Sequence, residues 1–494
     1  MKSLSPIEYS ENLINNEKVK MPKLLAITGH TDMYGYGKTH YNLLTDVEVD
    51  QYIYNHFLTE GITPCWSINN QRAIKHALLL HPQTKKVPKL DSHPDHINVR
   101  NGIIDLTTPY PHKLIPHSDE FRFTSIVDVD YDPEAEDVTN FMDFLGTSLT
   151  LPDMVPDTNT ITTILMMMGY IIVPQQRMEG LFIFLGDGSN GKSLLIDIIS
   201  SFFPKQFISY LSLSDIAKNN KERDQLMTSR LNISGEEKGN PIDSSEIKKI
   251  SSGQHITIQR MHKPPISWQP NTKLIVDSNT IPQFKDSTHG TLRRLNIFKF
   301  HNRAVPEAEY NQSDNPKKER LILRKNRDTF FPEIMKEKSA ILNLILRHYK
   351  QLQDLDYVLP RTETSKETFD EYRETTDTLG YWLEQNYTYS DTKMVKVVNI
   401  LADFREFYDE NFPGQRCGYS TKAIGMKIKQ IFRDDGVLEN YTTNNGKRST
   451  TTAYHLKKKV LTAHSSIEEM EEIEASNMTA EEFNQELGLI HSDE

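Results

Sequence analysis

The run Gly186-Asp187-Gly188-Ser189-Asn190-Gly191-Lys192-Ser193 has the residue types and spacing needed to hold the phosphates of a nucleotide. Its glycines admit backbone dihedrals that other residues resist, so successive N–H groups can turn inward around phosphate oxygens. Lys192 supplies a full charge for the β- and γ-phosphates, and the Ser193 hydroxyl can ligate Mg²⁺. The chemistry implied is ATP binding with Mg²⁺. A chance match in a turn is the bland alternative, and the flanking residues argue against it. Leu181-Phe182-Ile183-Phe184-Leu185 is a continuous apolar run that reads as a buried parallel strand. Ser193-Leu194-Leu195-Ile196-Asp197-Ile198-Ile199 opens a helix whose N-terminus adds partial positive charge.

A second acidic site follows. Leu231-Asn232-Ile233-Ser234 is strand-like and ends in Gly235-Glu236-Glu237. A strand that delivers acids to a phosphate loop is the Walker B arrangement. Glu236 would hold Mg²⁺ or its water, and Glu237, or Glu236 itself, would act as general base. Paired glutamates on a solvated turn are the competing reading.

These residues need elements to position them. Across 155–355 apolar strands alternate with helical patterns, which predicts a three-layer α/β core with a flanking helix. That helix is expected over 330–355, with Ile341, Leu342, Leu344, Ile345 and Tyr349 as its core contacts. Residues 1–95 read as an accessory region and 96–154 as a domain preceding the core. Within the latter, Asn101-Gly102 lies between two strand-like pieces and signals a hairpin. Residues 375–460 read as a small α+β domain, and 461–494 as an acidic tail.

Bulk composition narrows the class. The chain of 494 residues carries a net charge of −11, but ten acids and no Lys or Arg fall in its last 30 residues, so the remainder is close to neutral. Cys417 to Lys459 holds nine basic and three acidic residues, so positive charge is concentrated next to the tail. Two distant cysteines fit neither a disulfide framework nor a zinc motif, and a reducing cytoplasm is the simplest compartment. The apolar stretch near Ile161–Val173 falls short of the roughly 20 residues a membrane span needs and reads as a buried helix.

The ordered series of motifs resembles the superfamily 3 helicase core of phage and plasmid primase–helicases, related to the C-terminal half of the poxvirus primase-helicase. The matching pieces are Gly186–Ser193, Arg230–Glu237, Lys248–Gly253, Ile256–Arg260, Leu274–Asn279 with Pro282, and Arg293–Phe298. Upstream, Val99–Leu106 and Tyr131–Ala135 match the domain that precedes the helicase. The resemblance implies an AAA+-like P-loop core, and Asn279 as a sensor of the γ-phosphate or attacking water. It implies Arg293 or Arg294 as a finger reaching a neighbour's nucleotide, hence a ring, usually a hexamer. It also implies a hairpin between Ile256 and Val276 that tracks single-stranded DNA through Lys263, supported by Arg260 and His262. Two departures stand out. Gln254-His255 follow Gly253 where the family often carries Asp, and residues 1–95 are too short for the usual priming domain, so a separate primase is the expected partner.

Ser420–Phe432 reads as an amphipathic helix with Ile424, Ile428, Ile431 and Phe432 on one face and Lys422 and Lys429 off it. A hairpin follows, with Lys447 and Arg448 at its basic tip. Helix plus basic-tipped hairpin is a winged-helix-like DNA-binding pattern; a protein-docking domain with solvated lysines is the alternative. In the tail, Thr479-Ala480-Glu481-Glu482 resembles a capping box before a short partner-binding helix, or the tail is only solubilising. His93 and His96 lack further ligands at sensible spacing and read as loop histidines. Together these features predict an ATP-driven helicase on single-stranded and forked DNA in the replication of a mobile element, within a bacterial host. An origin-binding initiator with weak ATPase activity and a P-loop nucleotide kinase are the rivals.

Overall fold

The computed structural model describes residues 5–60, 68–237, 241–261, 263–286, 289–414, 416–434, 436–442 and 448–459. The chain divides into two compact units, Met1–Ser365 and Lys366–Glu494. The acidic tail, Lys447 and His262 lie outside the described residues.

The first unit is built on a five-stranded sheet: β1 (Leu181–Leu185), β2 (Ile208–Ser209), β3 (Leu231–Ser234), β4 (Lys273–Ser278) and β5 (Leu295–Lys299). Every neighbouring pair runs parallel. Their spatial order is β5-β1-β4-β3-β2. β1 is buried at all five positions, as its unbroken apolar run requires of a strand covered on both faces. The register matters for function. Ser278 pairs with Leu185 and Ser234 with Val276. Gly186, Asn279 and Gly235 therefore leave the sheet at one carboxyl edge, where ligands of open parallel sheets bind.

Two helices brace this sheet. Thr158–Ile172 is buried along nearly its whole length, so the longest apolar stretch is a core helix. Its Asp157 caps the first turn through the Thr160 N–H at 3.0 Å. It packs against Lys338–Asp354, in which Ile341, Leu342, Leu344, Ile345 and Tyr349 are all buried. The two backbones touch at Gly169, where a Cβ would collide with the Ile345 carbonyl and force the helices apart. No helix among the described residues is long and apolar enough to cross a membrane.

Before the core, His96–Val99 pairs antiparallel with Gly102–Asp105, the hairpin signalled by Asn-Gly. The accessory region forms a four-stranded mixed sheet with helices Pro6–Ile14, Asp46–Thr59 and Ile68–Leu80. A buried ion pair joins Asp91 to Arg230, immediately before β3, and Thr124 and Ser125 complete its hydrogen bonds. Asp46 and Asp50, which mimic a carboxylate pair in sequence, lie in the first turns of a helix capped by Thr45 and share Lys75. His93 and His96 pack against Phe121, and the described residues contain no group of three His, Cys, Asp or Glu that could hold a metal ion.

The second unit packs helices Thr378–Asn386, Val397–Asn411 and Thr421–Phe432 around Trp382, Leu383, Phe404, Ile424 and Ile428. Ser420 caps the last of these helices through Ala423 N–H at 3.3 Å. Val437–Thr442 then pairs antiparallel with Arg448–Tyr454, and Val395–Lys396 adds a third strand. Arg448 was expected in the turn, but it forms the last ladder pair with Thr442.

Candidate phosphate-binding site

The Gly186–Ser193 loop leaves β1 and feeds the helix Lys192–Ser201, whose first N–H groups lack partners within the helix. Gly188 and Gly191 adopt φ of +98° and +97°, in the left-handed region open to glycine. A Cβ on Gly186 would strike the Asn190 side chain and the Phe300 carbonyl, and one on Gly191 would lie 2.7 Å from Ser148 Oγ. The loop is also clamped from outside: Ala304 N–H donates to Ser189 O at 2.5 Å. Asn190 is buried, while Asp187 is exposed.

Lys192 is 4% exposed. Its ammonium donates to the Gly186 carbonyl and lies 3.4 Å from Asn279 Oδ1. Asp277 Oδ1 lies 3.9 Å from it. Burial lowers the Lys192 pKa, and the negative charges of Asp277, Asp187 and Glu236 oppose that shift. Loop, lysine and Asn279 border a cavity of about 990 Å³ whose far wall includes Tyr310, Leu323, Arg327 and Phe330.

The two glutamates part company. Glu237 turns back to the helix Leu213–Lys218, where it accepts the Leu213 N–H and the Ser214 hydroxyl at 2.9 Å. Glu236 remains within electrostatic reach of Lys192. The two arginines also differ. Arg294 is 8% exposed, and it donates to Ser252 Oγ at 2.8 Å and to the Gly290 carbonyl. Burial lowers its pKa. Arg293 is half-exposed and pairs with Glu179, which also pairs with Arg294 at 2.8 Å.

Asp277 was not singled out from sequence. It lies within β4, two residues before Asn279. Burial raises its pKa, opposed by Lys192 and by the Ser193 hydroxyl. The available signal was a carboxylate ending the buried run Leu274-Ile275-Val276.

The hairpin is present as Ile256–Ile258 paired with Ile266–Trp268. Its charges are arranged differently from expectation. Arg260 is 6% exposed and ion-paired with the buried Asp32 of the accessory sheet. Its guanidinium is therefore not presented to DNA. Lys263 lies 3.3 Å from Asp32 and is more open. In the second unit Lys422 and Lys429 are exposed, whereas Lys427 pairs with Asp377 at 2.7 Å.

The loop geometry fits a nucleotide triphosphate with its divalent cation. Gly188 is bordered by open space where a Cβ would lie, and Lys192, Ser193 and Asp277 line the same cavity.

Residues 63–149 match the model described as D5 N terminal like, and residues 184–294 match a family of unknown function, DUF5906. A protein of African swine fever virus named as a primase is 21% identical over 395 residues, covering 74% of this chain and 38% of that protein. A protein of Acanthamoeba polyphaga mimivirus named as a helicase is 23% identical over 339 residues, covering 66% of this chain and 34% of that protein. The chain thus spans under two fifths of the length of these curated relatives. The apo structure of the NrS-1 C-terminal region aligns with a TM-score of 0.49 at 13% identity, over 92% of this chain and 100% of that one. The resemblance to phage- and virus-type primase–helicases is met in these relatives.

Proposed function

We propose that this primase–helicase-like chain hydrolyses ATP and couples hydrolysis to movement along single-stranded DNA, as a ring of subunits serving replication of a virus or mobile element. One observation carries the reading: the glycine loop, Lys192, Asn279 and the Glu236 segment converge at one carboxyl edge of a parallel sheet. Lys192 would leave the Gly186 carbonyl for the β- and γ-phosphates. Mg²⁺, bound with the nucleotide through Ser193 and a nearby carboxylate, would neutralise phosphate charge. Glu236 would orient and deprotonate the attacking water, since Glu237 is engaged as a helix cap. Asn279, 3.4 Å from Lys192, would register the γ-phosphate.

Arg293 is the better finger. A residue that must reach a neighbouring subunit needs an exposed, weakly held guanidinium, and Arg294 is buried in its own. Lys263 would contact DNA phosphate from the hairpin, and Lys422 and Lys429 from a winged-helix-like second unit. The primase-named relative motivates replication as the setting.

The test is unwinding of a forked duplex with ATP, with Arg293→Ala subunits mixed into wild type. Loss of activity beyond the mutant fraction is expected. A linear loss would remove catalysis between subunits.

A further inference from the structure

The sheet order separates the two acids near Ser193. β4 lies directly beside β1, whereas β3, which carries Glu236, is one strand further away. A carboxylate on β4 is therefore the closer candidate partner for a hydroxyl on the loop that leaves β1. Asp277 occupies that position. It faces Phe184 across the ladder and borders the same cavity as Gly188, Lys192, Ser193 and Asn279.

Resting on the ATPase reading above, we propose that Asp277 is the carboxylate that holds the nucleotide's Mg²⁺, through Ser193 and a bound water, and that Glu236 is thereby left to act on the attacking water. Three features support this division. Ser193 and Asp277 line the same cavity, so a cation held there by the serine oxygen meets this carboxylate. A carboxylate beside a metal-ligating hydroxyl tunes the metal from its outer shell. Asp277 also stands 3.9 Å from the Lys192 ammonium, a distance that partly balances a buried charge with a half-buried one without locking the lysine. When phosphate draws Lys192 away, the carboxylate is left facing the cation that arrives with it. Mg²⁺ commonly keeps several waters and takes one or two carboxylates with substrate phosphates, a requirement that Asp277 meets without Glu236.

The experiment compares binding of a fluorescent, non-hydrolysable ATP analogue in excess Mg²⁺ and in EDTA, on the full chain. Wild type should bind more tightly with Mg²⁺. In Asp277→Asn that advantage should fall by about 10-fold or more, with binding in EDTA unchanged or tighter, because a negative charge beside the triphosphate is gone. Asp277→Ser should behave alike and guards against a packing defect peculiar to the amide. Equal loss in both conditions, with a lowered melting temperature, would make Asp277 structural and overturn the proposal. A retained Mg²⁺ advantage would also overturn it. Absence of analogue binding by wild type would instead remove the ATPase reading, and this assignment with it.

Discussion

Lys192 and Arg260 are both cations buried in the first unit, and their neutralisation differs. Arg260 meets a buried carboxylate, Asp32, in direct contact. Lys192 meets a carbonyl and an amide oxygen, with Asp277 at 3.9 Å. A buried charge needs a partner or it shifts its pKa. Arg260 has found its partner within the chain, so its role is to fasten the hairpin to the accessory sheet. Lys192 is only partly balanced and faces a cavity that an anion can enter. Lys273 marks the limit of this reasoning. It is also buried and donates to the Val173 and Gln175 carbonyls at 3.0 and 2.9 Å. It is not among the residues that line the cavity, so its incomplete neutralisation serves structure. The incomplete pairing and the opening into a cavity together mark a ligand site.

The comparison can be broken by exchanging the outcomes of its mutations. Arg260→Ala leaves the buried Asp32 facing Lys263 at 3.3 Å and should lower stability by about 3 kcal/mol, read as a fall in the chemical denaturation midpoint. Arg260→Met with Asp32→Leu should recover most of that loss. Lys192→Ala should do the reverse. DNA-stimulated phosphate release should drop at least about 100-fold, roughly 2.7 kcal/mol, while the melting temperature holds or rises. A Lys192 variant that unfolds, or an Arg260 variant that stays stable, would remove the distinction.

Smaller effects sharpen it. Arg294→Ala should destabilise by about 1–3 kcal/mol, because Glu179 and Ser252 lose a buried donor. Arg293→Ala should leave the melting temperature within a degree or two of wild type while abolishing turnover in the ring, so equal melting losses would undo the assignment of roles. Lys263→Ala should weaken single-stranded DNA binding uniformly across sequences and reduce the salt slope by about one; an unchanged slope would take the hairpin off the DNA. The least effect is on pH. Burial holds the imidazoles of His40 and His348 below their usual pKa. For a base whose folded pKa is lowered, stability is full above the unfolded value and lost as pH falls through about 6.5 toward the folded one. The denaturation midpoint should therefore drift down below pH 6.5, and His348→Gln should flatten the drift.

Local features were legible and long-range ones were not. The glycine loop, the Asn-Gly hairpin and the helix Lys338–Asp354 each declare themselves within a few residues through spacing, turn chemistry and apolar periodicity. Arg260 looked like a DNA contact because its basic, turn-like neighbours are visible and Asp32, 228 positions away, is not. Glu236 and Glu237 look equivalent side by side, and only the helix starting at Leu213 separates them. Asp277 was hidden because a carboxylate at the end of an apolar run reads as a strand terminus.

By itself, the sequence determined that a phosphate loop would form, because glycine dihedrals, a buried strand and a helix start are properties of contiguous residues. It also determined the order of the later motifs along the chain. Only the tertiary structure decided which charges serve the loop. Parallel pairing sets Asp277 on the strand beside β1, with Asn279 just past its end, and Glu236 past the end of the next strand, and the fold draws Arg260 to Asp32. Charge interactions inside a protein depend on distance and burial rather than on separation along the chain, so those assignments exist only once the strands are in register.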